Sequence, residues 1–525
     1  MSRYFNIAGP CNSKNHYMID ALERGGREML NLVEQKHYFV IHSARQSGKT
    51  TFLLELADKV NADAKYHALY CSLECLQGIA EPKEGIPAIV KKIKHELRKQ
   101  KMPGGFAEEA DYADYTNVLN TTLCDYCSSL EKPFVIFFDE SDCLGNGTLI
   151  SFLRQLRNGF ITRSRTPFVH SIAIAGMRNI RDYKAHIRED SATLGSASPF
   201  TIITKTFSLS TFSHREITEL CLQHTKETGQ IFEPQAIDYI FEQTDGQPWL
   251  VNAIARECVE EILQNDFTKT IFKDIVEQAI QNIILTRGTH FDSLMERLKE
   301  PRVRKVILPL LQGEENVDRE SDDFLYVRDL GLIKVDEKTK IITPANPIYA
   351  EIMVRAISLN VQSRLFANPE YQTPRYLRDG KIDINFLLKD FQVFWRENSD
   401  IIWDELYEKG LREYKEASPH LILQAFLQRV INGGGRIHRE MALGKKRVDI
   451  CLEWQDQKYP IEIKILRNNK SIVDGLAQTF EYMEKCGSSE GWLVVFDRDV
   501  EKLWEEKIYT RQEIYKGKNI TIVGA

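Results

Sequence analysis

The stretch from Tyr38 to Leu53 has the residue types needed to hold a phosphate group. An apolar run, Tyr38 to Ile41, leads through small residues into Gly48-Lys49-Thr50 and then a helical pattern. Such a strand fixes a loop in which helix amides face the anion, the lysine reaches the β- and γ-oxygens and the hydroxyl ligates Mg²⁺. Ser43 replaces the usual first glycine, and a small residue still makes that turn. The candidate nucleotide-binding residues are Ser43, Ala44, Arg45, Gln46, Ser47, Gly48, Lys49, Thr50 and Thr51.

A second pair of chemically capable residues ends the continuous apolar run that follows Lys132, namely Asp139 and Glu140. Continuous apolarity predicts a strand buried on both faces of a parallel α/β sheet. Acids at the carboxyl end of such a strand lie where these sheets bind ligands. Asp139 would ligate Mg²⁺, and Glu140 would polarise the water that attacks the γ-phosphate. The two motifs together predict ATP and Mg²⁺ as ligands.

A third group of candidate residues lies in two apolar runs between Lys446 and Ile465, joined by a predicted turn at 455–458. Pairing them as an antiparallel hairpin gives one wholly apolar face. On the other face, this pairing places Asp449 opposite Lys464 and Cys451 opposite Glu462. Two neighbouring carboxylates favour a divalent cation with oxygen ligands, Mg²⁺ or Mn²⁺, and Lys464 would position the water that the metal activates.

Composition restricts where such chemistry could act. A length of 525 residues predicts about three or four compact units, and a net charge of -6 excludes whole-molecule attraction to nucleic acid. The N-terminus lacks an apolar signal core and no window is long enough to span a bilayer, so we predict a cytoplasmic protein without membrane contact. Ten scattered cysteines predict reduced thiols, and the Cys124-Cys127 pair lacks a second pair at zinc spacing.

The elements that must position these residues are strands and helices in alternation. Further apolar strands are predicted at His67–Ser72, Ser171–Gly176 and Thr201–Ser208, around the phosphate loop and the acidic strand. The polar, lysine-rich segment 77–105 is predicted to be a helical insertion. This pattern predicts an α/β fold with a parallel-sheet P-loop ATPase core.

Four motifs taken together resemble the AAA-like, STAND-type ATPases of bacteria and archaea. The resemblance implies that Pro248 senses the nucleotide; the alternative is an ordinary helix start with proline in its first turn. Arg178 or Asn179, at the tip of the strand beside Asp139, would contact the γ-phosphate or the attacking water. The motifs are Ala44–Thr50, Phe138–Glu140, Gly176–Asp182 and Asp245–Leu250.

The Asp449, Glu462 and Lys464 arrangement resembles the PD-(D/E)xK nuclease superfamily. Gln478 and Tyr482, which lie on one face of a predicted helix, resemble the QxxxY motif of its RecB-like exonuclease branch. The chain departs from the family pattern in two places. Val448 stands before the aspartate in place of proline, and the first helix has Gln424 where the family usually has glutamate, with Glu440 as the nearest substitute.

From residue 290 the order of three helices and a small hairpin predicts a winged helix. Its presumed recognition helix, Asp322 to Leu330, carries three aspartates and one arginine, which favours packing between domains over DNA reading. The C-terminal order of helix, hairpin, helix and strand predicts an α/β restriction-endonuclease-like domain. The predicted domains are the ATPase core at 1–210, a helical subdomain at 211–289, the winged helix at 290–356, a linker at 357–390 and the nuclease-like domain at 391–525.

These features predict an ATPase that regulates a metal-dependent nuclease acting on DNA, a combination suited to defence against foreign DNA. The alternative is a STAND-type signalling or scaffold protein whose C-terminal domain binds nucleic acid without cutting it. A weaker third interpretation is a motor that moves along DNA. Arg163 and Arg165 could act on a neighbouring copy in a homo-oligomer.

Overall fold

The computed structural model divides into two compact units, Met1–Ser293 with Asp318–Tyr349 and Leu294–Val317 with Ala350–Ala525. Among the described residues, no helix is both long enough and apolar enough to cross a bilayer. The described residues are 3–105, 111–176, 202–286, 289–311, 318–336, 338–357, 376–378, 381–408, 423, 426–427, 436–439, 450–455, 457–466, 469–497, 499 and 501–525.

The first unit is built on a five-stranded sheet in which every neighbouring pair is parallel, in the order β2-β3-β4-β1-β5. The strands predicted at its centre are confirmed, and the last begins at Ile203. The strand bounds are β1 Tyr38–His42, β2 His67–Ser72, β3 Phe134–Asp139, β4 Ser171–Gly176 and β5 Ile203–Ser208. The sheet and its helices fit a P-loop ATPase core.

Helices cover both faces of this sheet, which explains the continuous apolar strands. Side chains alternate between the faces, so Tyr38 and Phe138 enter one core while Phe39 and Phe137 enter the other. On the face of Phe39 lie α1 (Gly26–Glu34) and α2 (Lys49–Ala62); on the face of Tyr38 lie α3 (Pro82–Lys99), α4 (Val118–Ser128) and α5 (Asn146–Thr162).

Segment 77–105, predicted to be a helical insertion, contains helix α3. One stripe of this helix also belongs to the core of the sheet. Ile86, Ile89, Ile93 and Leu97 recur at helical spacing and are buried in the same core as Phe138. The lysines of α3 occupy its remaining surface, so the segment has a polar composition although one stripe of it belongs to the core.

Four helices of the predicted helical subdomain follow β5. Helix α6 begins with a capping box in which Ser213 and Glu216 satisfy each other's backbone amides. A π-helical turn, Glu257–Ile262, continues α8. The bounds are α6 His214–Thr228, α7 Pro234–Thr244, α8 Pro248–Arg256 and α9 Lys273–Thr286.

The helices and hairpin predicted for the winged helix are present as separate elements. The division between the two compact units runs through them, so their assembly as a winged helix stays a prediction. Their bounds are α10 Thr289–Arg297, α11 Pro301–Leu311, α12 Asp322–Asp329, β6 Ile333–Val335, β7 Ile342–Pro344 and α13 Pro347–Ile357.

The second unit contains a short antiparallel hairpin, β8 Leu377–Arg378 and β9 Lys381–Ile382. It also contains a mixed six-stranded sheet in the order β10-β11-β12-β13-β15-β14. Strands β12, β13 and β15 are parallel, and the outer pairs are antiparallel. Its strands are β10 Arg436–Arg439, β11 Ile450–Trp454, β12 Gln457–Ile465, β13 Glu490–Phe496, β14 Thr510–Tyr515 and β15 Lys518–Gly524.

Helices pack on both faces of this second sheet. The long helix α14 (Ile384–Glu408) packs on the face that contains Ile450 and Ile461, and α15 (Asn469–Cys486) packs on the face that contains Leu493. Tyr376 and Ile384, within the predicted linker, belong to the first of these cores. The predicted domain boundaries remain predictions.

Candidate functional site

The loop after β1 has the conformation that its residue types predict. Gly48, with φ of 89°, stands immediately before α2, where the left-handed conformation favours glycine. The buried Lys49 Nζ donates to the carbonyl oxygens of Ser43 at 2.7 Å and Ala44 at 2.9 Å, so the lysine closes the loop on itself. The loop therefore forms a preorganised turn at the N-terminus of α2, where free amides favour an anion.

Thr50 and Asp139 meet beside this loop. The Thr50 hydroxyl donates to Asp139 Oδ2 at 2.7 Å, and the Tyr70 hydroxyl donates to the same oxygen at 3.0 Å. A hydroxyl and a carboxylate at this separation are the oxygen ligands that Mg²⁺ takes in phosphate sites. The two residues thus fit the metal that the sequence predicts.

Glu140 follows Asp139 at the end of β3 in an unusual backbone conformation, with φ of 52° and ψ of 38°. Non-glycine residues held in this region cluster at functional sites. Burial raises the pKa of Glu140, opposed by the nearby Lys49 charge; burial lowers the pKa of Lys49, opposed by Glu140 and Asp139. A half-buried carboxyl with a raised pKa is a better proton acceptor than an exposed one.

The Gly246-Gln247-Pro248 segment reaches the loop from the helical subdomain. Gln247 caps α8 by accepting from the Leu250 amide at 2.6 Å, and its amide nitrogen lies 3.4 Å from the Gln46 carbonyl. Gly246 accepts from the amide of Phe212 at 2.7 Å. Pro248 therefore opens a helix whose first turn is held beside the phosphate loop.

Arg24 is a site residue that the sequence analysis missed. Its guanidinium donates twice to the Ser47 carbonyl, at 3.2 Å each, and also to the Ser210 carbonyl, and it lies 5.2 Å from the Phe212 ring centroid. One cation thus joins the phosphate loop to the segment after β5. Its hydrogen-bond partners are backbone oxygens, so the types of the partner residues do not predict the contact. In the sequence beside Arg24, the Gly25-Gly26 pair is the one distinctive feature.

A cavity of about 470 Å³ opens beside the loop. This volume lies within the range of small-molecule sites. His42 and Asp329 both line this cavity, and His42 Nε2 lies 3.7 Å from Asp329 Oδ1. Burial lowers the pKa of His42, and the charge of Asp329 opposes that shift. Its lining includes Ser43, Ala44, Ser47, Gln247, Pro248 and Asn346.

The other predicted nucleotide-site residues make different contacts. Arg45 is exposed and donates to the Ser293 hydroxyl at 2.7 Å, and the Thr51 hydroxyl accepts from the Cys11 amide at 2.9 Å. Arg163, predicted for a neighbouring copy, donates to the Lys36 carbonyl at 2.8 Å in its own chain. Arg178 and Asn179 lie outside the described residues.

The C-terminal hairpin forms with a register different from the predicted one. Ile450 pairs with Ile461, and Cys451 pairs with Pro460 and not with Glu462. The turn was predicted to span four residues, 455–458. It spans two, because Trp454 already pairs with Gln457. The change is two residues, the period of side-chain alternation, so the residues described in the two strands keep their predicted faces.

Glu462 and Lys464 lie together on that second face. Glu462 is 1% exposed, and its Oε1 lies 2.5 Å from Lys464 Nζ. Helix α15 packs directly against them: a Cβ added at Gly475 would lie 3.1 Å from Lys464 Cγ. The structure therefore brings a buried carboxylate and a lysine to the helix that carries the QxxxY residues.

Gln478 and Tyr482 occupy this helix as predicted. Tyr482 is buried against Cys451, and Gln478 Oε1 is a buried acceptor with no hydrogen-bond partner in the described part of the chain. Asp449 lies outside the described residues, as do Val448, Glu440 and Gln424. Among the residues that are described, no group of three or more His, Cys, Asp and Glu side chains could hold a metal ion.

Residues 390–499 match a family model described as a Domain of unknown function (DUF8371). Among curated proteins, no relative matches the chain.

Several solved structures are similar to part of the chain. The Walker-type ATPase PABY2304 of Pyrococcus abyssi is 13% identical, with 66% of this chain and 99% of that one covered and a TM-score of 0.47. Cdc6p from Pyrobaculum aerophilum is 14% identical, with 66% and 97% covered and a TM-score of 0.38. The Thermotoga maritima RuvB Holliday junction branch migration motor is 14% identical, with 64% and 95% covered and a TM-score of 0.34.

Proposed function

We propose that this chain binds and hydrolyses ATP in its first unit and, in its second, carries a metal-dependent nuclease that acts on DNA under control of the nucleotide. One observation carries the ATPase part: Lys49, Thr50, Asp139 and Glu140 meet at the carboxyl edge of one parallel sheet. Each has the chemical character that phosphoryl transfer requires of its position.

The roles follow from the contacts. Lys49 and the amides at the start of α2 would bind the phosphates, and Glu140 would accept a proton from the attacking water. Thr50 and Asp139 would hold Mg²⁺, which neutralises phosphate charge when bound. Gln247 and Pro248, at the cavity beside the loop, would bring the helical subdomain into contact with the nucleotide, as STAND-type ATPases do.

The ATPase proposal is tested by separating binding from hydrolysis. Lys49→Ala should lose binding of a fluorescent ATP analogue. Glu140→Gln should keep that binding and lose hydrolysis by about 10²- to 10⁴-fold, the usual contribution of a general base. Wild-type rates of hydrolysis in both variants would show that the activity does not come from this site, and absence of ATP binding by the wild type would remove the ATPase assignment.

The nuclease proposal rests on Glu462 and Lys464. They share one polar face of β12, and Gln478 on α15 has a buried amide oxygen that accepts no hydrogen bond from a donor among the described residues. Asp449 directly precedes Ile450, whose partner Ile461 directly precedes Glu462. Glu462 and Asp449 would ligate Mg²⁺ or Mn²⁺, which activates water when bound, and Lys464 would position that water.

A matched pair of lysines tests this site. Lys464→Ala should abolish metal-dependent DNA cleavage. Lys458→Ala, a change on the same face of the same strand but toward the hairpin turn, should leave cleavage within about twofold, as expected for a partly exposed side chain away from the site. Equal losses in both variants would point to general disruption of the hairpin.

A second candidate function is a nucleotide-switched scaffold of the STAND type whose C-terminal domain binds nucleic acid without cutting it. The 2.5 Å contact between Lys464 and Glu462 favours it, because a carboxylate already neutralised by lysine has less need of a cation. DNA retained in a binding assay, with no cleavage in Mg²⁺ or Mn²⁺, would select this function.

A further inference from the structure

Two cysteines in the second unit are neighbours in space although far apart in the chain. Cys451 lies in β11 and is 0% exposed, and Cys486 is the last residue of α15 and is partly exposed. Both pack in one small cluster with Tyr482. The cluster joins the strand that follows Asp449 to the helix that carries Gln478 and Tyr482.

The two thiols pack against each other in this cluster. Interaction with the Cys451 thiol lowers the pKa of Cys486 to about 7, against the effect of burial and with help from the charges of Lys458 and Lys485. A substantial fraction of Cys486 is then thiolate near neutral pH, and the thiolate is the form that reacts with oxidants.

A second pair of neighbouring cysteines, Cys124 and Cys127 of α4, has the opposite character. Burial is the leading cause that raises the pKa of both thiols, that of Cys127 to about 12, and the carboxylate of Asp125 adds to the effect at Cys124. Those thiols remain protonated and unreactive. The chain therefore supplies its own control for a reactive pair.

We propose that Cys486 and Cys451 form a redox-sensitive pair, a modification site at which a hydroperoxide converts two thiols into a disulfide. The Cys486 thiolate attacks the peroxide oxygen, forming a sulfenic acid and releasing an alkoxide or hydroxide. The Cys451 sulfur then attacks the sulfenic sulfur of Cys486 and forms the disulfide bond. The displaced hydroxide takes the proton of the Cys451 thiol and leaves as water. The pair loses two electrons, the peroxide gains two, and a dithiol reductant reverses the change.

The disulfide would also act on the nuclease site, a consequence that rests on the proposed function. Bond formation draws the sulfurs from packing contact to about 2.05 Å. We expect the end of α15 to shift toward β11, and Tyr482 lies one helical turn before Cys486. A displacement of about 1 Å near a reacting centre commonly costs on the order of 10²-fold in rate, so oxidation should inhibit cleavage at least about tenfold.

The pair is tested by treating the full chain with hydrogen peroxide, blocking free thiols and mapping the peptides by mass spectrometry. We expect a disulfide between Cys451 and Cys486 at a peroxide concentration that leaves Cys124 and Cys127 reduced, and its absence in Cys486→Ser. A wild-type map in which Cys451 stays free while Cys486 is oxidised further, or in which all four react alike, would overturn the proposal.

The inhibitory effect has a separate readout. Peroxide should lower DNA cleavage by the wild type, dithiothreitol should restore it, and Cys486→Ser should respond to neither. A mapped disulfide with unchanged cleavage would overturn the inhibitory role. Absence of cleavage in the reduced protein would count against the proposed nuclease, while the peptide map would still decide the fate of the cysteine pair.

Discussion

Replacing Gly246 with alanine tests whether the Gly-Gln-Pro segment holds the helical subdomain against the phosphate loop. Gly246 has φ of +73°, and a Cβ added there would lie 1.8 Å from the carbonyl oxygen of Phe212. The Phe212 amide also donates to the Gly246 carbonyl at 2.7 Å. The clash is with backbone, so no side-chain rotation relieves it, and the two segments must separate.

The expected cost can be assembled from these observations. Alanine in the left-handed backbone conformation lowers the free energy of unfolding by about 1–2 kcal/mol, overpacking lowers it by about 1–3 kcal/mol and the lost hydrogen bond by about 1 kcal/mol. The total is roughly 4 kcal/mol. Gly229→Ala is the matched control, because Gly229 has φ of +82° but nothing within 4 Å of its added Cβ. The control should cost only the conformational part, about 1–2 kcal/mol.

Urea denaturation of both variants measures these differences in the free energy of unfolding, and titration with a fluorescent ATP analogue measures the effect on the site. Gly246→Ala should be less stable than Gly229→Ala by about 3 kcal/mol, the part due to the contact, and should alone lose nucleotide affinity. Equal stability of the two variants together with wild-type affinity in Gly246→Ala would refute the reasoning.

Three further predictions concern single residues. The rate of ATP hydrolysis should rise with pH as Glu140 loses its proton. The midpoint should lie above the ordinary glutamate pKa, because burial raises the pKa of Glu140. If the residual activity of Glu140→Gln showed the same pH profile as the wild type, this prediction would be contradicted. Arg24→Gln should weaken ATP-analogue binding about tenfold through lost charged hydrogen bonds to the loop, whereas Arg27→Gln, an exposed control, should not. Gly475→Ala should lower the urea midpoint for unfolding of the C-terminal part of the chain, because the added Cβ would lie 2.7 Å from Leu493 Cδ1. A higher midpoint, from the better helix propensity of alanine, would show that the helix has room to move.

The phosphate loop was predictable because its chemistry is contiguous in the chain. A short apolar strand, Gly48, Lys49 and Thr50 follow one another, so local pattern suffices. Arg24 was not predictable, since it contacts backbone oxygens of Ser47 and Ser210, which any residue at those positions would present. Contacts to the main chain leave no constraint on side-chain type at the partner position.

The hairpin shows the same limit in another form. Alternation along β11 and β12 predicts which face each side chain occupies, and Ile450 and Ile461 do share one core. Alternation does not distinguish registers that differ by two residues, and the length of the turn at Gln455 makes that choice. Helix α3 was predicted as a helix, but its place in the core was not predicted, because the composition of the segment averages over a buried stripe and an exposed face.

The most direct test of the central claim is cleavage of linear and circular DNA in Mg²⁺ or Mn²⁺, with and without ATP. The wild type should cut with an ATP-dependent rate. Lys464→Ala should not cut, and Lys49→Ala should cut at a rate that no longer depends on ATP. A wild type that hydrolyses ATP but cuts neither DNA under any of these conditions would contradict the account and favour the scaffold function.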